Sequence, residues 1–445
     1  MDVGGVTCRL AKDCANFGVE EIMRFFKTAT AIAVAMSMVS GAYAQDGSIN
    51  VLGHKVHQTA ATGLTAGTTG GDVTAEWQAE NGSINWITAD VNPLHDRLFR
   101  ELTLPVGNVD MAFFLNRFAS PRAFELLEPL DGYQAENPIE DFDGLSQGML
   151  EGMTYDGKVY GIPFRHSTTA LVYNETLLQQ AGFDGPPKSF DELIDMAKKL
   201  YHVDAKGQKV YGLTQVGNSP EFLLAMMLAS GKPFLEADFT LNADTPEYIA
   251  TLNTLKDLSD NGGLVDNYVA NNLDGLISDM QNGRAVMSLS PFNRESVLND
   301  EKLSLFPGSF KVTAVPPMAN GELPVQTEVW YLVIPKNAPN KELAWELIRT
   351  LSSPEATVRE ALNGNGATRP AAYEDPRIIE KIASAAEQAR SVASARLALP
   401  GFEEIARAQT ILGEEADAVL LGYQTAEEAA AKTQALIEPL LPKKQ

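Results

Sequence analysis

Short apolar runs of β type alternate with capped amphipathic helices along almost the whole chain. That alternation limits the fold more than any other feature of the sequence. Ile49-Asn50-Val51-Leu52 reads as a strand ending at Gly53, and residues 110–115, 285–289, 310–315 and 330–334 read as further strands of buried type. Ser189 opens a helix, with Glu192 three residues on completing a capping box. Phe190, Leu193, Ile194, Ala197, Leu200 and Tyr201 then share one face of it. Thr245-Pro246 and Ser353-Pro354 open two more helices, because proline fits the first helical position. Residues 72–80 read as a helix, Asn340 caps one through Leu343, Ala344, Leu347, Ile348 and Leu351, and Thr425 with Glu428 begins the last. Residues 59–71 are rich in Gly and Thr and read as a loop. Residues 154–160 read as a hairpin around Asp156-Gly157, a pair that supplies the positive φ angles of a tight turn. No repeat of fixed period is present.

Strands alternating with helices imply an α/β fold with largely parallel sheets. The chain has 445 residues, too many for one such core, so two lobes are expected. In open sheets of this kind ligands sit at the carboxyl ends of strands. The residues just after each strand are therefore the informative ones.

Composition removes several functions. Asp and Glu number 58 against 35 Lys and Arg, a formal charge of −23. Phosphate neutralisation needs a basic surface, so the acid excess argues against a nucleic-acid binder and against adhesion to anionic lipid. The two cysteines, Cys8 and Cys14, both lie in the first 14 residues. The bulk of the chain therefore has no disulfide framework, cysteine zinc site or cysteine nucleophile.

Residues 23–44 read MRFFKTATAIAVAMSMVSGAYA. A short positive head, an apolar run too short to span a bilayer, and the small-x-small signal Ala42-Tyr43-Ala44 form a secretory signal peptide. Cleavage is expected before Gln45. The expected translation start is Met23, with the preceding stretch a start-site artefact, so residues 1–44 form an upstream segment plus signal peptide. No direct membrane insertion of the mature chain is expected.

From Tyr155 the sequence reads YDGKVYGIPFRHSTTALVYNETLLQQAGF, and from Pro186 PPKSFDELIDMAKKL. This resembles the family 1 extracellular solute-binding proteins, the receptors of bacterial ABC sugar importers. The order continues with Asn282-Gly283-Arg284-Ala285-Val286-Met287, Ala314-Val315-Pro316-Pro317, Trp330 to Ile334, and Thr368-Arg369-Pro370-Ala371. Each motif alone is weak; their collinearity over nearly the whole mature chain is the signal. There are two departures. Glu328-Val329 stand where the family often has a glycine pair, and the Gly/Thr-rich insert after the first strand is unusual. Both are expected near the cleft.

The resemblance implies a two-lobe periplasmic binding protein fold, type II-like, with a hinge and an interlobe ligand cleft. The expected lobes are 45–164 with 311–352, and 165–310 with 353–445. Crossings then fall near residues 161–165, Phe310 and Ser352. It implies a periplasmic, monomeric receptor without cofactor, closing on a mono- or disaccharide or polyol and delivering it to the transmembrane subunits of an ABC permease.

The expected ligand-binding residues are those that follow strands or occupy the family's cleft positions. Asn116 and Arg117 follow one strand, Arg165 and His166 lie at the first crossing, and Gln215 and Asn218 follow residues 211–214. Phe292 and Asn293 follow another strand, where the family places a stacking aromatic. Glu328, Trp330 and Arg369 lie in late cleft segments, and His54 ends the first strand. Amides and guanidinium groups suit hydroxyls, which both donate and accept. His54 and His57 are three apart but lack further ligands at a fixed spacing, so no metal is expected. An anionic ligand such as a sugar acid is the alternative, if Arg117, Arg165, His166 and Arg369 converge. A secreted glycosidase is less favoured, because no carboxylate pair is singled out by a motif.

Overall fold

The computed structural model describes residues 47–442, except Ala66 and Asn218. The expected signal peptide lies outside the described residues, as does the expected site residue Asn218. The chain from Ile49 onward forms one unit, and only Gly47 and Ser48 are described of the unit before it.

Twelve strands are described: β1 (Ile49–Gly53), β2 (Ile84–Thr88), β3 (Met111–Leu115), β4 (Thr154–Tyr155), β5 (Lys158–Val159), β6 (Ile162–Asn174), β7 (His202–Val203), β8 (Lys209–Leu213), β9 (Ala285–Pro291), β10 (Phe310–Ala314), β11 (Gln326–Val333) and β12 (Arg396–Leu397). β4 and β5 form the expected small hairpin, with Asp156 at φ 48° and Gly157 at φ 69°. The others form one path, β2-β1-β3-β11-β6-β9-β8-β7, with β10 also on β6 and β12 on β11.

The strand that joins this path is β6. Its first half, from Ile162 to Thr168, pairs antiparallel with β11. Its second half pairs with β9 from Thr169 and with β10 from Ala170. One strand thus serves two sheets and changes partner between Thr168 and Thr169. Its sequence suits both roles. Ala170 to Tyr173 lie between two neighbours and are buried throughout, whereas exposed Ser167 and half-buried Thr169 alternate with buried His166 and Thr168. On the sequence this strand read only as a Gly-x-Pro crossing, because Gly161 and Pro163 look like punctuation.

The chain makes two further passages between the sheets. β10 ends at Ala314, Pro316 and Pro317 cannot extend a ladder, and β11 begins at Gln326. Later, β12 pairs with the start of β11 through Gln326 and Thr327, and residues 398–404 lead to the helix Ile405–Leu420. That helix and Ala426–Ile437 pack with Pro246–Asp260 beside the second sheet.

The helix Pro354–Leu362 behaves differently. Arg359 donates from Nε to the Gly70 carbonyl and from Nη2 to the Asp72 carbonyl, both at 2.8 Å. The Asn363 side chain donates to the carbonyls of Ala60 and Gly71, each at 2.9 Å. These bonds fasten the Gly/Thr-rich segment to this helix, and the segment does not line the cleft described below.

Most caps match the sequence reading. Ser189, Thr245, Ser353 and Thr425 each accept a backbone N–H at their helix start, and Thr425 with Glu428 forms a full capping box. Asn340 differs: its side chain donates to Asp110 Oδ1 instead of capping its own helix. Residues 59–62 are helix and not loop, because Lys55–Thr62 is capped by His54 Nδ1 and ends at Gly63 in the left-handed conformation. Trp77 is core, as its position in the helix Ala75–Asn81 implies.

Candidate ligand-binding cleft

Where β6 changes sheets, a cleft of about 660 Å³ opens, within the usual range of small-molecule sites. Ser167 and Thr169 of β6 form its floor. One wall carries Asn116 and Arg117 after β3, with Gln326 to Glu328 of β11. The other carries Gln215 after β8, Glu221 and Phe222 at the head of the helix Glu221–Ala229, and Ser290, Pro291 and Arg294 at the end of β9. Leu399 and Gln409 close one end. Strand ends and helix starts face it because parallel strands all terminate towards the same edge.

Four of the expected residues therefore meet here: Asn116, Arg117, Gln215 and Glu328. Asn116 is fixed by its Oδ1, which accepts from Val329 N at 2.9 Å. Its NH₂ has no hydrogen bond among the described residues. Arg117 is exposed, lies over the Phe118 ring at 5.3 Å, and stands 4.0 Å from Glu328 Oε1. Desolvation by the cleft wall raises the Glu328 carboxyl pKa, and Arg117 opposes the rise. Gln215 is buried. With its amide oriented to satisfy both groups, it donates to Leu289 O at 3.0 Å and accepts from Leu289 N at 2.6 Å. It therefore braces β9 beside the cleft.

Seven others do not line it. His54 caps a helix, with Nε2 3.6 Å from Asp90. Trp330 is packed against the rings of His57 and His95, at 4.5 and 5.5 Å. Arg165 lies opposite Trp330 on β6, and desolvation lowers its guanidinium pKa. His166 is sealed in, with Nε2 3.0 Å from the Tyr373 hydroxyl and Nδ1 2.7 Å from Thr168 Oγ1. Burial holds its pKa down to about 3, with nearby Arg165 adding to the effect. Phe292 is buried, and Asn293 points to solvent at the start of the short helix Arg294–Leu298.

Arg369 is the clearest correction. It is 2% exposed and spends its donors on the carbonyls of Ser352, Glu140 and Asp141 and on Asp141 Oδ2. The convergence of Arg117, Arg165, His166 and Arg369 needed for an anion site is absent. His166 and Arg369 are committed elsewhere in the fold.

The sequence reading missed Glu221, Phe222, Arg294 and Gln409. β9 runs two residues beyond Leu289, and the cleft is lined by Arg294 and not by Asn293. The helix at Glu221 has no side-chain cap and is apolar nearly all round, so neither usual helix signal marked it. Glu221 is exposed at the cleft, yet the protein crowded around it desolvates its carboxyl and raises its pKa. Glu328 adds to the rise and Arg117 opposes it. Amides, hydroxyls, guanidinium groups and carboxylates around one aromatic edge can hydrogen-bond a polyhydroxylated molecule from several sides. Among the described residues no group of three or more His, Cys, Asp or Glu is placed to hold a metal ion.

A profile described as bacterial extracellular solute-binding protein matches residues 74–386. The chain belongs to that family. A Brucella abortus protein described only as a candidate binding protein is 28% identical over 389 residues, covering 82% of this chain and 89% of its own length. The sugar-binding protein MalE of Xanthomonas citri superposes with a TM-score of 0.73 at 20% identity, covering 88% of this chain and 97% of that one. A solute-binding protein of Agrobacterium radiobacter K84, solved in complex with ribitol, gives 0.67 at 20% identity, covering 88% and 98%. The α/β two-lobe fold with an interlobe cleft is the fold of these structures, as the strand and helix alternation implied. The proteins of this family bind solutes; they are not enzymes. Among the described residues no helix is long and apolar enough to cross a membrane.

Proposed function

We propose that this protein is the periplasmic receptor of an ABC importer, which closes its two lobes on a small neutral carbohydrate or polyol and presents it to a membrane permease. One observation carries the reading: a polar cleft lies where a single strand, β6, passes from one sheet to the other, so both sheets contribute its walls. The sugar and ribitol named for two structural relatives favour a hydroxylated guest. Export through the segment ending at Ala44 belongs to the same reading.

The lobe division that best fits the pairings differs from the one expected. We place the first crossing at Thr168–Thr169 and the return between Ala314 and Gln326, since β10 pairs with the second half of β6 and not with the first sheet. The last crossing falls after Leu397, because Arg359, Asn363 and β12 keep residues 354–397 bonded to the first sheet and its helices. Hinge bending at these three passages would open and shut the cleft.

Titration calorimetry of the mature chain against sugars and polyols tests the proposal, with the ligand recovered afterwards. Binding at about micromolar affinity, roughly 8 kcal/mol, with chemically unchanged ligand is expected. Silence across the panel would remove the carbohydrate reading, and cleaved ligand would replace it with a hydrolase.

A further inference from the structure

Four charged side chains face the cleft, two from each wall. Arg117 and Glu328 stand on one side, and Glu221 and Arg294 on the other. Their charges cancel. The Arg117–Glu328 contact, at 4.0 Å, lies at the outer limit of an ion pair. On the opposite wall, among the described residues, neither Glu221 nor Arg294 makes a side-chain hydrogen bond or ion pair. Arg294 Nε is moreover buried with no acceptor in reach. A buried donor left unpaired is costly and rare in folded proteins; the outer guanidinium nitrogens, which make no hydrogen bond among the described residues either, are the ones a guest in the cleft can reach. The residue sits at the end of β9, beside a floor of two hydroxyl side chains, where a guest would lie.

We infer, resting on the carbohydrate reading above, that Arg294 and Glu221 are the groups by which the second wall recognises its ligand, and that the balanced cleft selects a neutral polyol or sugar over a sugar acid. The guanidinium fork donates to two neighbouring hydroxyl oxygens, and Glu221 accepts from a third hydroxyl. A ligand carboxylate would satisfy Arg294 equally well. It would then face two glutamates, and like charges in a closed, water-poor cleft repel strongly. A hydroxylated guest meets all four groups without that conflict.

The test is calorimetry with ribitol, mannitol, maltose and gluconate on the mature wild-type chain and on Arg294→Gln, Arg294→Lys and Glu221→Gln, each checked for a native melting transition. Wild type is expected to bind a neutral member at least about tenfold more tightly than gluconate. Arg294→Gln should weaken that neutral ligand roughly 10- to 100-fold, as loss of a charged hydrogen-bond donor does. Arg294→Lys should recover part of the loss, because it keeps the charge and not the fork. Glu221→Gln should narrow the gap between neutral ligand and gluconate. If Arg294→Gln does not fold, Arg294→Lys and Glu221→Gln carry the test. Neutral binding within about twofold of wild type in the Arg294 variants overturns the inference alone, as does gluconate binding most tightly. A wild type that binds none of the four overturns the carbohydrate reading and takes this inference with it.

Discussion

His166 shows how burial decides what a titratable residue does. Its ring is enclosed by Tyr373 and Thr168, and its pKa is held near 3 against 6.5 in an open chain. Between those values the unfolded chain takes up a proton that the folded one refuses. His166 therefore contributes stability that is complete above pH 6.5 and is lost as pH falls towards about 3. Thermal melts from pH 7 down to 4 should show a falling midpoint, and His166→Gln should make that slope shallower. An unchanged slope would mean that the site takes a proton in the native state. The sequence placed this histidine beside the crossing strand and read it as a cleft residue. Alternation along β6 puts it on the opposite face from Ser167 and Thr169, and a strand half-hidden by Gly161 and Pro163 gave no register from which to see that. Asn116, Arg117 and Gln215 were legible because they directly follow strands whose apolar runs are unambiguous. Arg294 was not, since Ser290 and Pro291 conceal the true end of β9.

Among the elements, the segment after Asn363 acts as a clamp on β6. Asn365 Nδ2 donates to Phe164 O at 2.8 Å, and Thr368 Oγ1 donates to Pro163 O at 3.1 Å. The Tyr373 hydroxyl accepts from Ala367 N at 3.0 Å while meeting His166. Gly366 lies so close that an added Cβ would stand 2.5 Å from the His166 carbonyl oxygen. Gly366→Ala is expected to destabilise the fold by about 1–3 kcal/mol through overpacking, read as a lower denaturation midpoint. Tyr373→Phe, which removes only the hydroxyl, should cost about 1 kcal/mol. It should also speed amide exchange at residues 164–168; unaltered exchange there would show that the clamp is not what holds the strand. The capped helices were legible because Ser and Thr caps with proline or glutamate at fixed offsets leave a plain signature. Lys55–Thr62 was not legible, because its caps are histidine nitrogens, outside the usual set of Ser, Thr, Asp and Asn.

For the whole molecule, the formal charge of −23 is spread over the chain, while the four charges at the cleft cancel. Affinity for a neutral ligand should therefore change by less than about twofold between roughly 0.05 and 0.5 M salt, since no net charge is paired on binding. A steep loss with salt would point to an anionic guest. Small-angle scattering should show a smaller radius of gyration with saturating ligand; superimposable profiles would argue against lobe closure. The α/β class and the two lobes were readable from alternation and length. The lobe crossings proposed above rest on which strand pairs with which, and pairing leaves little trace in a single sequence.

The double membership of β6 has a mechanical consequence. Thr168 is the last residue laddered to β11 and Thr169 the first laddered to β9, so a tilt of one half against the other loads the peptide unit between them as torsion. Neither ladder has to be torn for the halves to swing. Under the proposed lobe closure each cycle would strain a few dihedral angles and leave the backbone pairing intact, so the motion could be repeated without partial unfolding.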